Sequence, residues 1–445
     1  MNILNNNKPV NLIFTLKSLG ISLLILFITS SSFADVRTQF IPTVSISEEY
    51  TDNYHQTEND TDDEFSTIYS AGFSFGVISQ NASLFLNYNP AYTDYDKYNE
   101  NDSWNHDVSL EGQMQMSQHT SITLSHSFEH ALDRTVTTNS WQEHDTNTTT
   151  AGVHHQFGAR DYISVDYSYT FDDYDEPSAD EHKTHNPSIS FAYWLTPQYG
   201  FDLNAAWEKT EYDISTDEPE TWSGDIRFLK NINRHLDIYL SYAHTYTDQE
   251  SGDHTTFNPS IGFDWRPTDD SGITMGAGMI FQEWGAAGSE DSDGFFIDFD
   301  MYKNFEISRR CTVGLTGSSG YDPTDDEAAS LGFHIYYQAG VLLSYELTRR
   351  LTGELNGTYT IDQYDDPVVD RNDTTLGLGA DLIWSPLRWL SLTLSYTFTD
   401  YDTDTATRED YQENTGMITI TMTPSQEVRF GASNPRSDLE NRLFN

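Results

Sequence analysis

The sequence has little positive charge and almost no cysteine. It contains 23 lysine and arginine residues against 70 aspartate and glutamate residues, a formal net charge of −47. This balance argues against a nucleic-acid partner, because phosphate contacts require clustered lysine and arginine. Cations, or a surface rich in divalent ions, fit the charge better. The single cysteine, Cys311, cannot form an internal disulfide, and we interpret it as a small strand residue without a redox role.

Long apolar runs are also missing. The longest, Ile21–Ile28, follows Lys8 and Lys17 and precedes the small residues of Ser32-Phe33-Ala34. This order predicts a secretory signal peptide over the first 34 residues, with the mature protein starting near Asp35. The run falls short of the ~20 residues that a helix needs to span a bilayer. The sequence therefore predicts export without a membrane-spanning helix.

Apolar and small polar residues alternate in the sequence. In the stretch 390–402, Leu392, Leu394 and Tyr396 fall on one face, and small hydroxyl residues such as Thr393 and Ser395 fall on the other. A period of two indicates a β-strand, because successive side chains point to opposite faces. One apolar face and one hydroxylated face are typical of a wall between lipid and water. A mean hydropathy of −0.58 is compatible with this, since only half of each strand must be apolar.

The same alternation recurs along the chain at a fixed period. Alternating strands are separated by acidic, polar loops spaced ~39 residues apart on average, which is the length of one hairpin. The loops centre near Asp60, Asn101, Asn139, Ala179, Asp217, Gly252, Glu290, Asp326, Asp370 and Thr405. We therefore predict an all-β, transmembrane, antiparallel up-and-down β-barrel of about 20 strands, with an uncertainty of two to four.

The two kinds of connection differ in length and charge. The longer loops are acidic, and the short turns carry much of the scarce positive charge, as at Arg309-Arg310 and Arg349-Arg350. Long outer loops and short periplasmic turns are typical of outer-membrane barrels. Tyrosines such as Tyr401 near the loops, and tryptophans such as Trp389 near the turns, predict two interfacial girdles. Carbohydrate stacking is the alternative role for the tyrosines.

Several segments resemble a known family. Ser47–Tyr54, followed by an acidic loop and Asp63–Ile68, resembles the opening of the porin-2-type outer-membrane β-barrels found with exopolysaccharide gene clusters. The turn-and-strand units at 194–197, 345–351 and 387–392 are similar to the same group. The likeness extends over essentially the whole mature chain. It implies an outer-membrane barrel with a role in polysaccharide export or surface assembly, and it carries over no functional residue.

The domain prediction follows from these patterns. We expect a signal peptide at 1–34, a barrel at 35–430 and a polar C-terminal tail at 431–445. Outer-membrane barrels usually end on an aromatic residue, and Phe430 supplies one before the tail. The segment from Asp35 to Pro42 is too short to plug such a barrel.

The histidines are the candidate residues for a catalytic site. A lipid-acting enzyme would place a histidine two residues from a serine on one face, but His126 and His244 are followed at that spacing by Phe128 and Tyr246. His119-Thr120-Ser121 has the spacing and lies at a predicted short turn. We therefore predict no enzyme, no catalytic residue and no cofactor.

Calcium binding is a further hypothesis for the acidic loops. Asp60, Asp62 and Asp63, and Asp291 with Asp293, are fragments of a calcium loop without the glutamate at the twelfth position. Weak binding of divalent cations that bridge lipopolysaccharide phosphates is one interpretation, and solvated loops are the other. We assign no metal site from sequence.

The expected function is a polar, cation-preferring pore or export channel in a bacterial outer membrane, linked to surface polysaccharide. A closed structural barrel that scaffolds a polysaccharide export machine is the alternative, and a lipid-acting enzyme is the third. The expected partners are outer-membrane lipids and lipopolysaccharide, together with polysaccharide or export-machinery proteins. A soluble β-sandwich would also alternate apolar and polar residues, but it does not require aromatic residues at both ends of each hairpin.

Overall fold

The computed structural model describes residues 36–424 and 428–430, except for nine gaps. The gaps are residue 60 and residues 135–140, 175–180, 215–217, 250–251, 286–291, 323–332, 366–370 and 405–408. The predicted signal peptide and the polar tail lie outside the described residues, so both stay predictions. In the described part of the chain, no helix has the length and apolar character to span a membrane.

Twenty long strands and one short strand make up the described chain. They are β1 Arg37–Thr51, β2 Glu64–Ile78, β3 Ala82–Tyr95, β4 Ser103–Gln115, β5 Thr120–Arg134, β6 Trp141–Gln156, β7 Tyr162–Tyr174, β8 His182–Thr196, β9 Tyr199–Tyr212, β10 Glu220–Asn233, β11 Leu236–Asp248, β12 His254–Thr268, β13 Ser271–Trp284, β14 Ser292–Ser308, β15 Cys311–Asp322, β16 Phe333–Thr348, β17 Leu351–Asp365, β18 Arg371–Leu387, β19 Leu390–Thr403, β20 Tyr411–Met422 and β21 Val428–Phe430. A single 3-10 turn, Asn99–Asn101, lies between β3 and β4.

Each of the twenty long strands pairs antiparallel with its neighbours in the chain, and the sheet closes on itself. The closing seam joins β1 to β20 over Val44–Thr51, with Val44 opposite Met422 and Thr51 opposite Thr415. The short strand β21 extends the seam by pairing with β1 at Thr38–Phe40. The predicted strand count and barrel class are therefore confirmed, and the predicted final strand at Phe430 lies in the seam.

The predicted acidic loop centres all fall between consecutive strands. Asn101 and Gly252 lie among the described residues, and the other eight lie outside them. The short turns at the opposite ends consist of as few as two residues, as at 349–350 between β16 and β17. Residues 37–42 belong to β1, so this segment forms part of the barrel wall.

The two faces of the wall follow the alternation of the sequence. Along β19, Leu394 and Tyr396 are each 48% exposed on the outward face, as expected where no protein covers them. Ser395 lies on the opposite face, where its hydroxyl donates to Asp381 at 2.6 Å. Packed apolar interior is scarce, and Ile280, Phe296 and Ile335 form a small buried cluster. The fold therefore depends on its hydrogen-bonded ladders and not on a large central core.

Candidate functional site: the barrel lumen

The lumen-facing surface is polar because the inward positions carry hydroxyl side chains that pair across strands. Ser47 and Thr419 are 2.9 Å apart at the seam, and the pairs Thr148–Thr170 and Thr221–Thr247 repeat the contact at 3.2 and 3.1 Å. Cross-strand threonine and serine pairs of this kind stabilise neighbouring strands. The predicted hydroxylated second face is thus the inner wall of the barrel.

Acidic side chains share this inner wall. The strand registers place the following carboxylates on the inward face: Glu49, Asp107, Glu111, Glu129, Asp166, Asp172, Asp202, Glu208, Asp225, Asp237, Asp264, Asp298, Asp300, Glu354, Asp362, Asp373, Asp381 and Glu413. Away from the short-turn end of the barrel, Arg227 and Arg371 are the described arginines that the registers place on the same side. The lumen therefore has a large excess of negative charge.

Arg227 lies on the wall between carboxylates. Its Nη2 atom donates to Asp264 Oδ2 at 3.0 Å, and its guanidinium carbon lies 4.2 Å from the centre of the Tyr239 ring. Asp202 and Asp298 interact with it electrostatically from β9 and β14. A guanidinium held by a carboxylate and a ring face is fixed in position, so this positive charge stays on the wall.

Two glycines make room for the Tyr239 ring. A Cβ atom added at Gly262 would lie 2.4 Å from the ring, and one added at Gly276 would lie 2.8 Å from the Tyr239 hydroxyl oxygen. Tyr239 therefore lies flat against the wall, beneath Arg227. Sequence reasoning missed this arrangement, although an isolated glycine inside a strand does indicate a close approach of another group.

The second lumen arginine is neutralised near the outer end of the wall. The Nε atom of Arg371 donates to Asp373 Oδ1 at 3.1 Å, and its guanidinium lies 4.6 Å from the centre of the Tyr364 ring. Thr403 donates to the same carboxylate at 2.6 Å. Both side chains of the Arg371–Asp373 pair are at most 9% exposed, so the pair contributes little free charge to the lumen.

At the outer rim, the loop between β1 and β2 packs against the loop between β3 and β4. Tyr54 stacks on Tyr98 with ring centres 4.7 Å apart, and Tyr98 donates to Asp62 at 2.8 Å. The Lys97 ammonium pairs with the Asp63 carboxylate, and it also donates to the Asp63 carbonyl oxygen at 2.6 Å. This bond lowers the pKa of Asp63 and raises that of Lys97.

The rim contacts bear on the calcium hypothesis. Asp62 and Asp63 are engaged by Tyr98 and Lys97, while Asp60 and Asp291 lie outside the described residues. Within the described ranges, no group of three histidine, cysteine or acidic side chains is arranged to hold a metal ion.

The histidines considered for catalysis face outward or lie in a turn. His126 Nδ1 is 2.8 Å from Thr149 Oγ1, and the His244 ring lies 5.0 Å from the Phe257 ring. His119 lies in the short turn before β5, where its backbone N–H donates to Ser117 Oγ at 3.2 Å. None of these contacts joins a histidine ring to a serine or cysteine nucleophile, which is the contact that hydrolysis requires.

Comparison with known proteins supports the same class. Residues 304–423, which span the end of β14 and all of β15 to β20, match the family described as Putative beta-barrel porin 2. The resemblance to porin-2-type barrels inferred from sequence is thereby confirmed over this segment, and its link to exopolysaccharide stays a prediction. No curated protein matches the chain.

Similar solved structures are outer-membrane receptors and transporters. The FrpB iron transporter of Neisseria meningitidis (F5-1 variant) aligns with a TM-score of 0.52 at 10% identity, covering 86% of this chain and 81% of that one. The siderophore receptor PirA of Acinetobacter baumannii aligns with a TM-score of 0.50 at 9% identity, covering 87% and 80%. At this identity, the likeness shows the barrel fold alone. The fold and the family match together support a porin-like barrel in the outer membrane.

Proposed function

We propose that the barrel is a water-filled, cation-preferring pore of the outer membrane. The observation that carries the proposal is the excess of inward-facing carboxylates over Arg227 and Arg371, the two inward arginines away from the short turns, both of which are paired with aspartates. Charge that lines a pore sets ion preference, because it raises the local concentration of the opposite sign. Hydroxyl pairs such as Ser47–Thr419 complete a wall that water can wet.

The family resemblance adds a link to surface polysaccharide. If the pore carries such a polymer, the negative wall favours neutral or basic chains and disfavours acidic ones, because like charges repel across a pore. The wall offers hydroxyl and carboxylate groups, which are acceptors for the hydroxyls of a sugar. This part of the proposal rests on the resemblance and on the lumen chemistry together.

The test is the reversal potential of the purified protein in planar bilayers under a potassium chloride gradient. We expect conductance with cation selectivity, and we expect Asp225→Asn to reduce that selectivity because Asp225 faces the lumen beside Arg227. Asp400→Asn is the matched control, since the register places Asp400 on the outward face of β19. Anion selectivity would overturn the proposal. Absence of conductance, with co-purifying periplasmic proteins, would favour the closed scaffold.

A further inference from the structure

An apolar groove crosses the outward face of the barrel on β16 to β20. Its volume is about 480 Å³, and small residues line it at Gly353, Ala380 and Gly416. The larger side chains around it include Leu355, Leu382 and Leu394. The groove forms where residues without large side chains leave a depression between taller neighbours. A Cβ atom added at Gly416 would meet no atom within 4 Å, so the space above this glycine is open.

The groove belongs to the surface that faces hydrocarbon. Leu355 is 54% exposed and Leu382 is 40% exposed, and both point away from the lumen. Apolar side chains on the outside of a barrel contact lipid tails. The volume falls within the range of about 300–1,000 Å³ that is usual for small-molecule sites. A single acyl chain is therefore the occupant whose chemistry matches both the lining and the location.

Positive charge is concentrated on the short turns of the same arc. Three turns that join β14–β15, β16–β17 and β18–β19 carry Arg309, Arg310, Arg349, Arg350 and Arg388. The turn between β12 and β13, in contrast, is Asp269-Asp270. All five arginines are exposed. No described carboxylate lies within ion-pair distance of Arg309, Arg349 or Arg388, so these guanidinium groups are available to an anion.

The turns and the groove are adjacent. Tyr345 and Leu347 line the groove just before the turn that carries Arg349, and Leu394 lines it four residues after the start of β19. Trp384 and Trp389, which are 47% and 45% exposed, lie at the same end of the barrel. Exposed tryptophan beside arginine is typical of the level at which lipid headgroups meet acyl chains. The site therefore combines an apolar groove on the strands with a cluster of arginines at the adjacent short turns.

We propose that this face binds an anionic phospholipid of the periplasmic leaflet. One acyl chain lies in the groove over Gly416, and the phosphate contacts Arg349 and Arg388 at the turns. Guanidinium groups bind phosphate through paired hydrogen bonds, so both halves of one lipid are recognised. The lipid is a bound partner of the barrel wall and does not depend on transport through the lumen.

Native mass spectrometry of the full-length protein, released from detergent with added phosphatidylglycerol or phosphatidylcholine, tests the proposal. Gly416→Leu fills the groove and is expected to lower phosphatidylglycerol retention about fivefold. Gly224→Leu is the matched control: Gly224 also faces outward, and its added Cβ meets its nearest atom, a backbone oxygen, at 3.5 Å. Equal retention in the two variants would overturn the acyl-chain site.

Two further variants test the contact between the lipid headgroup and the arginines. Arg349→Gln combined with Arg388→Gln is expected to abolish the preference for phosphatidylglycerol over phosphatidylcholine, because the phosphate then loses both of the guanidinium groups assigned to it. Arg234→Gln, on the turn between β10 and β11, is the control and is expected to keep the preference. A double variant that keeps the preference would overturn the headgroup contact. A native mass spectrum that shows a second copy of the protein in place of bound lipid would overturn the whole proposal.

Discussion

Asp52 and Asn414 hold the closing seam of the barrel together at its outer end. The Asn414 backbone N–H donates to Asp52 Oδ1 at 2.7 Å, and its side-chain amide donates to Oδ2 at 2.8 Å. The two residues are 362 positions apart in the chain. The neighbouring Asn53 adds a bond from its amide to the Gln412 carbonyl oxygen at 2.8 Å. The loop that follows β1 therefore fastens β1 to β20.

Removing this carboxylate should weaken the seam. We expect Asp52→Ala to lower the free energy of unfolding by about 1–3 kcal/mol, because two hydrogen bonds to a charged acceptor are lost. Urea unfolding in detergent, followed by tryptophan fluorescence, measures the change. Asp404→Ala is a close control, since Asp404 accepts the same pair of bonds from Asn372, at 2.8 and 3.0 Å, across one hairpin. A larger loss for Asp404→Ala would contradict a special role for the seam.

Replacing Arg227 should increase the selectivity of the pore for cations over anions. Arg227→Gln removes a fixed positive charge from among the lumen carboxylates, so the reversal potential in a salt gradient should move toward the ideal cation value. Lys230→Gln serves as the control: it removes the same charge three residues along β10 on the outward face. A shift of equal size in both variants would show that position in the lumen is irrelevant.

The glycine beneath Tyr239 should be intolerant of a methyl group. A Cβ atom at Gly262 would lie 2.3 Å from the Met275 carbonyl oxygen, and backbone cannot move aside cheaply. We expect Gly262→Ala to destabilise the barrel by about 1–3 kcal/mol through overpacking. Gly416→Ala should be neutral or slightly stabilising, because its Cβ meets nothing within 4 Å and the unfolded chain loses freedom. Thermal gel-shift midpoints compare the two, and similar midpoints would refute the steric argument.

The contact between Asp63 and Lys97 predicts a pH window for the rim loops. The bond lowers the pKa of Asp63, so its stabilisation is present above the unfolded value of about 4 and is lost as pH falls through the lower folded value. The bond raises the pKa of Lys97, so its stabilisation is present below about 10.4 and is lost as pH rises through the higher folded value.

Hydrogen-exchange protection of the peptides covering 52–59 and 96–102 checks this window. Protection, corrected for the intrinsic pH dependence of exchange, should fall at both extremes in the wild type. Lys97→Met should remove the pH dependence across the acid limb. A wild-type profile that is unchanged between neutral pH and pH 3 would show that the pair does not order these loops.

The strands and loops could be predicted from sequence because the alternation acts locally. Leu392, Thr393 and Leu394 determine their faces by period alone, and a closed sheet must put one face inside. The acidic loops were located correctly for the same reason: charge interrupts the alternation. The pairing of Val428–Phe430 with β1 places the predicted aromatic residue Phe430 in a strand, and the predicted start of the tail after it stays a prediction.

The lumen site could not be predicted, because its parts come from separate hairpins. Tyr239, Gly262 and Gly276 meet across three strands, and Arg227 joins them from a fourth. Each is unremarkable in its own strand, and the contact depends on registers that no single segment specifies. The groove at Gly416 could not be predicted either, because it depends on the side chains of neighbouring strands.

The seam also determines the order in which the barrel can assemble. Nearly every ladder joins strands that are neighbours in sequence, so hairpins form with short loops and little lost entropy. The β1–β20 and β1–β21 ladders, in contrast, must bring together residues such as Val44 and Met422 from opposite ends of the chain. Until β20 pairs with β1, the first strand keeps an open edge that can recruit other chains. A factor that shields β1 from the moment of export until closure would therefore raise the yield of folded barrels more than any change in a hairpin.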